Sequence, residues 1–200
     1  MKGLLLIIII LLSTTLFEPH SKPNVLVIGD SLSSYTGGWQ DIISKKLNYN
    51  LTNVSKSGAK TDWMLSKLKS QLRYQLGCGS KYDIVYIYGG INDVFSNIEQ
   101  NTTISNICEM IELCNGYDVK PYIIIGYNPH TVMESALPTE IISYRKIGYF
   151  KLQQRIQSEI KQEYIIRMNR NISKSDVSDG IHLNPSGHYK LANWILNHIK

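Results

Sequence analysis

Short apolar runs alternate along this chain with stretches whose hydrophobic residues recur at helical spacing, and that alternation restricts the fold more than any other feature. The runs are Asn24–Ile28, stopped by Gly29; Leu51–Ser55; Asp83–Tyr88, stopped by Gly89 and Gly90; Pro121–Gly126; and the shorter Tyr164–Arg167. The strongest of them are apolar at successive positions, not at every second one, which marks strands buried on both faces. The intervening segments read as helices. One runs from Gly38 to Leu47. Another runs from Thr61 to Leu76, with Leu65, Leu68, Leu72 and Leu76 on one stripe and Thr61 or Asp62 as its cap. A third spans Thr103–Asn115, with Ile104, Ile107, Cys108 and Ile111 on its apolar side, and a long polar helix spans Thr139–Gln162. Tyr127–Pro138 reads as a loop. Asn184 caps a last helix, with Pro185 at its first position and Leu191, Trp194, Ile195 and Ile199 as its buried face. Strands alternating with helices imply an α/β three-layer α/β/α sandwich around a parallel sheet of about five strands. Right-handed crossovers make the flavodoxin-like order 2-1-3-4-5 the most economical.

The chain has 200 residues, of which 43% are hydrophobic and 18% charged. Those values exclude a disordered, collagen-like or polytopic membrane chain and fit a single domain over residues 23–200. The 21 Lys and Arg exceed the 16 Asp and Glu, for a net charge of +5. The surplus is scattered, with neither a long basic run nor a nucleic-acid motif, so no nucleic-acid partner is expected. Residues 1–22 have a different layout. A basic start, Met1-Lys2-Gly3, precedes the Leu/Ile run Leu4–Leu12 and the small residues Ser13, Thr14 and Thr15. That is the layout of a cleaved secretory signal peptide. A retained N-terminal anchor is the alternative, although the uncharged stretch Gly3–Phe17 falls short of the roughly 20 apolar residues of a spanning helix. The expectation is a secreted or lumenal protein, touching membrane only if that segment is retained. Asn50, Asn53, Asn101 and Asn171 each begin an Asn-x-Ser/Thr glycosylation acceptor, a weak signal here. Cys78, Cys108 and Cys114 are an odd count, which leaves at least one thiol unpaired within the molecule; they read as small buried hydrophobes, or as a bridge from Cys78 to one of the others.

In such sheets ligands bind beyond the carboxyl ends of the strands. Those ends carry Gly29-Asp30-Ser31-Leu32, Ser57-Gly58-Ala59 and Gly89-Gly90-Ile91-Asn92-Asp93; before the last helix stands Asp179-Gly180-Ile181-His182. Together they supply what acyl transfer needs. A serine hydroxyl requires a base, histidine is the usual one near neutral pH, and the imidazole requires a partner to fix its tautomer. Asp179 lies three residues before His182, with Gly180 between them for a tight turn, so one loop can deliver both groups. Donors for the tetrahedral oxyanion are the Ser31 amide, the Gly58 amide and the Asn92 side chain.

These four blocks, in this order, resemble the SGNH superfamily, also called GDSL-type esterases and lipases. Gly29-Asp30-Ser31-Leu32 matches the first block, Gly58 the second, Gly90-Ile91-Asn92-Asp93 the third and Asp179-Gly180-Ile181-His182 the last. The resemblance extends from Asn24 to the C-terminus. It implies Ser31 as nucleophile, His182 as base and Asp179 as its orienter. It also implies Ser31, Gly58 and Asn92 as the oxyanion hole, and no cofactor or metal. The Gly-x-Ser-x-Gly elbow of ordinary α/β-hydrolases is absent.

The expected function is hydrolysis of a carboxylic ester, with a small-molecule, glycan or lipid ester as substrate and a lean towards O-acetyl groups on carbohydrate. The alternatives are an O-acyltransferase using the same site, a lysophospholipase or thioesterase, and a non-catalytic glycan- or lipid-binding domain. Trp39, Trp63 and His130 are candidate substrate contacts; core packing is the competing reading for the two indoles, a solvated loop for the histidine. Met133, Ala136 and Leu137 either wall an acyl pocket or belong to an ordinary connection. Asp30 and Asp93 read as braces of their loops. His188, six residues after His182, forms a conceivable metal pair with it but lacks further ligands.

Overall fold

The computed structural model describes residues 22–78, 81–133, 138–168 and 172–199, without the side chains of residues 75, 76, 78 and 131. Five strands form a wholly parallel sheet: β1 (Asn24–Gly29), β2 (Asn50–Asn53), β3 (Ile84–Tyr88), β4 (Lys120–Ile125) and β5 (Ile165–Arg167). Their order is β2-β1-β3-β4-β5, as the alternation of runs implied. Among the described residues, seven α-helices connect or follow them: α1 (Trp39–Leu47), α2 (Thr61–Cys78), α3 (Ile91–Phe95), α4 (Gln100–Gly116), α5 (Pro129–Val132), α6 (Thr139–Glu159) and α7 (Pro185–His198).

The chain steps outward from β1 to β2 and then reverses to reach β3. Right-handed crossovers therefore put α1 on one face of the sheet and α2, α4 and α6 on the other. Contacts follow that division: α1 packs on α7, and α4 on both α2 and α6. Leu26 and Ile28 of β1, Val85 and Tyr88 of β3, Leu68 and Leu72 of α2, and Leu191 and Ile195 of α7 are fully buried between the layers. Trp194 and Ile199 are only partly covered at the edge of this core. Burying such side chains contributes about 1.5–3 kcal/mol each, which offsets the ordering cost of a domain this size.

The differences from the sequence reading lie in short elements. The single turn α3 follows β3 directly and is too brief to show a helical period. α5 occupies part of the expected Tyr127–Pro138 loop, where the Asn128 side chain accepts from the His130 N–H at 3.0 Å and Pro129 opens the turn. Met133 is buried in the core and walls no open pocket; Ala136 and Leu137 lie outside the described residues. In the first turn of α2, Asp62 Oδ1 accepts from the Trp63 N–H at 2.7 Å. The Asp93 carboxylate accepts from the Thr61 N–H at 3.0 Å and from its hydroxyl at 2.5 Å, tying α2 to α3. Cys108 and Cys114 are free thiols, and burial pushes the Cys114 thiol up to about 12. The Cys78 and Leu76 side chains and Asn171 lie outside the described residues.

Candidate active site

β1 and β3 are adjacent, and the chain leaves their carboxyl ends in different directions, opening a crevice between the loops after them. Gly29 ends β1 where nothing larger fits: a Cβ there would lie 2.4 Å from the Tyr88 carbonyl oxygen. The Asp30 N–H then donates to that same carbonyl at 3.3 Å. The Asp30 side chain turns back on the loop, and its Oδ1 accepts from the Leu32 N–H at 2.9 Å. Leu32 is buried, and its carbonyl accepts from the Trp39 indole N–H at 3.2 Å. Ser31 is held between these two anchored neighbours and keeps a partly exposed hydroxyl.

Asp30 is fully buried, and its Oδ2 has no hydrogen-bond partner. Burial pushes this carboxyl up to about 7 against the Leu32 hydrogen bond, which favours the charged form.

Asp179 and His182 come from one tight turn, in which Gly180 takes a left-handed conformation at φ +79°. Asp179 Oδ1 accepts from the Ile181 N–H at 3.0 Å and the His182 N–H at 2.7 Å. Its Oδ2 lies 2.6 Å from His182 Nδ1, and His182 Nε2 lies 2.9 Å from Ser31 Oγ. A carboxylate only accepts, so Nδ1 carries the proton and Nε2 is left to accept from the Ser31 hydroxyl. Partial burial raises the Asp179 carboxyl, but hydrogen bonds from the His182 backbone, the His182 ring and the Ile181 backbone outweigh it. The carboxyl is held below its ordinary value.

The second and third blocks are joined to each other. Asn92, on α3, donates one Nδ2 hydrogen to the Ala59 carbonyl at 3.1 Å, which joins the third block to the second. Among the described residues, its other hydrogen has no acceptor. Among the described residues, neither the Ser31 N–H nor the Gly58 N–H has an acceptor. Asp93 is buried and bonded to Thr61 and Thr103, which makes it a brace.

A model of the GDSL-like lipase/acylhydrolase family matches residues 25–195. The chain belongs to that family. It is an ester-cleaving hydrolase. Solved structures with this fold include a GDSL-like lipase from Bacteroides thetaiotaomicron, at 18% identity and TM-score 0.65, covering 88% of this chain and 87% of its own. The psychrotrophic esterase EstA from Pseudoalteromonas is similar at 16% identity and TM-score 0.62, covering 89% of this chain and 97% of its own. An acetyl xylan esterase is similar at 15% identity and TM-score 0.62, covering 88% and 100%. A search of the curated proteins found no match.

Four further residues singled out in the sequence have defined surroundings in this GDSL-like domain. Trp39 is fully buried, edge-on to Tyr86 and Tyr88, and its indole N–H is spent on Leu32. It has no face for a substrate. His188 is buried too, and its Nδ1 accepts from the Trp39 backbone N–H at 3.3 Å. Burial, helped by the charge of His182, pushes it down to about 4, so the ring stands neutral. His130 meets the edge of Phe150 on α6, with centroids 5.0 Å apart. Trp63 is half-buried near the second block, with the Lys56 ammonium 5.5 Å from its ring centroid. Among the described residues, no group of three or more His, Cys, Asp or Glu is placed to hold a metal ion, and no helix is long and apolar enough to cross a membrane.

Sequence reasoning missed Tyr127. It follows β4, is buried, and donates its hydroxyl to the Ile181 carbonyl at 2.5 Å, one residue before His182. Its own carbonyl accepts from Gln153 of α6 at 3.0 Å. A tyrosine after a strand reads as core; nothing in the sequence signals a partner 54 residues away.

Proposed function

We propose that the chain cleaves carboxylic esters through an acyl-enzyme on Ser31, with short acyl groups such as O-acetyl on a carbohydrate as its substrates. The observation that carries this reading is the continuous hydrogen-bonded run Asp179–His182–Ser31, at 2.6 and 2.9 Å. His182 Nε2 takes the hydroxyl proton as Ser31 Oγ attacks the carbonyl carbon. The carbonyl oxygen becomes an anion facing the Ser31 N–H, the Gly58 N–H and Asn92 Nδ2. Collapse breaks the ester C–O bond, and His182 returns its proton to the departing alcohol. Water, deprotonated by His182, then releases the acid and restores Ser31. Asp179 keeps the imidazole in the reactive tautomer and steadies its positive charge.

The carbohydrate preference draws on the acetyl xylan esterase among the structures of the same fold. Residues 1–22 support export as a secreted or lumenal protein. Asn101 is an exposed glycosylation acceptor, whereas Asn50 and Asn53 spend their side-chain amides on Asn24 Oδ1 at 3.1 Å and on the Ser33 carbonyl at 2.8 Å.

The test is hydrolysis of p-nitrophenyl esters from acetyl to dodecanoyl, with Ser31→Ala alongside. Activity on the shortest esters that vanishes in the variant is expected. Turnover retained by Ser31→Ala overturns the serine mechanism, and a dodecanoyl optimum overturns the short-acyl reading.

A further inference from the structure

The large exposed apolar side chains of the described residues include Tyr35, Tyr74, Ile141, Tyr144, Ile147 and Tyr189. All except Tyr35 stand on helices. Tyr35 stands in the nucleophile loop, four residues after Ser31, and is 53% exposed. An extended chain of four residues reaches at most about 14 Å, which bounds how far the Tyr35 backbone lies from that of Ser31.

Its position is rigid. The Tyr35 carbonyl accepts from the Gly38 N–H at 3.1 Å and from Gln40 Nε2 at 2.6 Å. One face of the ring is stacked on His188, with centroids 5.1 Å apart and planes 10° from parallel. His188 in turn is fixed by the Trp39 N–H. Because Nδ1 accepts that bond, Nε2 carries the hydrogen, and among the described residues this N–H has no acceptor.

The pair draws on the same two segments as the site. Tyr35 comes from the loop that carries Ser31, and His188 from the first turn of α7, which begins three residues after His182. The segments that bring His182 to Ser31 thus also bring His188 to Tyr35, and the charge of His182 is felt at His188. Under the mechanism above, His182 must reach the departing alcohol oxygen, while the carbonyl oxygen faces Gly58 and Asn92. A group on the His182 side consequently meets the alcohol half of the ester.

We infer that Tyr35, backed by His188, forms the subsite for the alcohol portion of the ester, and that this portion is a sugar ring. A rigid aromatic face suits the C–H face of a pyranose, and the neighbouring neutral N–H suits a hydroxyl oxygen. With its imidazole held neutral, His188 offers no positive charge to a phosphate headgroup. This inference rests on the serine-esterase reading and specifies its substrate.

The experiment compares an acetylated xylopyranoside with ethyl acetate, whose alcohol has no ring, in wild type, Tyr35→Ala and Tyr35→Phe. The ratio of kcat/KM for the sugar ester over ethyl acetate is expected to fall about 3-fold to 10-fold in Tyr35→Ala, through KM, and to be kept by Tyr35→Phe. An unchanged ratio in Tyr35→Ala overturns the inference, as does a Tyr35→Phe ratio as low as that of Tyr35→Ala. So does a larger loss on a lysophospholipid than on the sugar ester. Ser31→Ala is assayed on ethyl acetate in parallel. Retained activity there would sink the serine mechanism, which separates that failure from failure of the subsite.

Discussion

The loop that carries Ser31 and the loop that carries His182 meet at one hydrogen bond yet are held in opposite ways. The nucleophile loop is wedged into the core: Asp30, Leu32 and Trp39 are all buried around it, and its backbone is tied to β3. The base loop lies outside the core. The side chains of His182 and Asp179 are 41% and 55% exposed, and most of its hydrogen bonds are its own. Among the described residues, two bonds join residues 178–182 to distant segments: Tyr127 to the Ile181 carbonyl, and His182 to Ser31. One loop is thus preorganised by packing, the other by an internal turn plus a single tether. The two aspartates record the difference, since burial pushes Asp30 up to about 7 while local hydrogen bonds hold Asp179 low.

If the base loop depends on its internal turn, Asp179→Asn is its most damaging change. The amide can still accept from the Ile181 and His182 N–H groups, so the turn persists, but it no longer fixes the tautomer. A loss of about 10³-fold to 10⁴-fold in kcat is expected, with an unchanged melting temperature. A variant within 10-fold of wild type would show that the turn, not the charge, is what His182 requires.

Asn92→Ala tests the proposed oxyanion hole that both loops would serve. It removes the proposed Nδ2 donor together with the link to Ala59. We expect kcat to fall about 10²-fold to 10³-fold with little change in KM. A change confined to KM would make Asn92 a ground-state binding residue.

Tyr127→Phe cuts the tether and leaves the internal turn intact. The half-buried Ile181 carbonyl can turn to water, so folding suffers little. His182 loses its fixed height above Ser31. A fall of about 10-fold in kcat is expected, with KM nearly constant and a matching fall in the rate at which a fluorophosphonate labels Ser31. Equal labelling rates in the two proteins would show that the turn alone sets the position of the base.

The same contrast explains what could be read from the sequence. The Asp179–His182–Ser31 run was legible because each residue stands at a strand end or in a tight turn, marked by local signals such as Gly29 and Gly180. The strand order followed from apolar runs and the handedness of crossovers. What escaped were pairings across the fold. Trp39 looks like a platform near the site until Tyr86 and Tyr88 are packed on it, and His188 looks like a ligand until the start of α1 donates to it. Tyr127 and Tyr35 carry no local mark, because their partners are more than 50 residues away. The α3 turn, at five residues, is shorter than the period that would reveal it.

Asp30→Asn reaches the nucleophile loop where it differs most from its partner, and its effect falls on stability more than on turnover. A buried carboxyl with a raised pKa is disfavoured when charged. Its contribution is most favourable below the unfolded value near pH 4, declines as pH rises, and levels off above about 7. His188 runs the other way: its pKa is lowered from 6.5 to about 4, so over that interval rising pH stabilises the fold through it. The raw slope of wild type therefore mixes the two, and the informative quantity is the difference between variant and wild type. Asparagine keeps the oxygen that accepts from the Leu32 N–H and cannot ionise. Its stability relative to wild type should rise by roughly 2–3 kcal/mol between pH 5 and pH 8, measured by denaturant unfolding at each pH. A difference that stays flat across that interval would mean the Asp30 carboxylate finds compensation in the folded state. The nucleophile loop would then be held by hydrogen bonds, like the base loop, and not by burial.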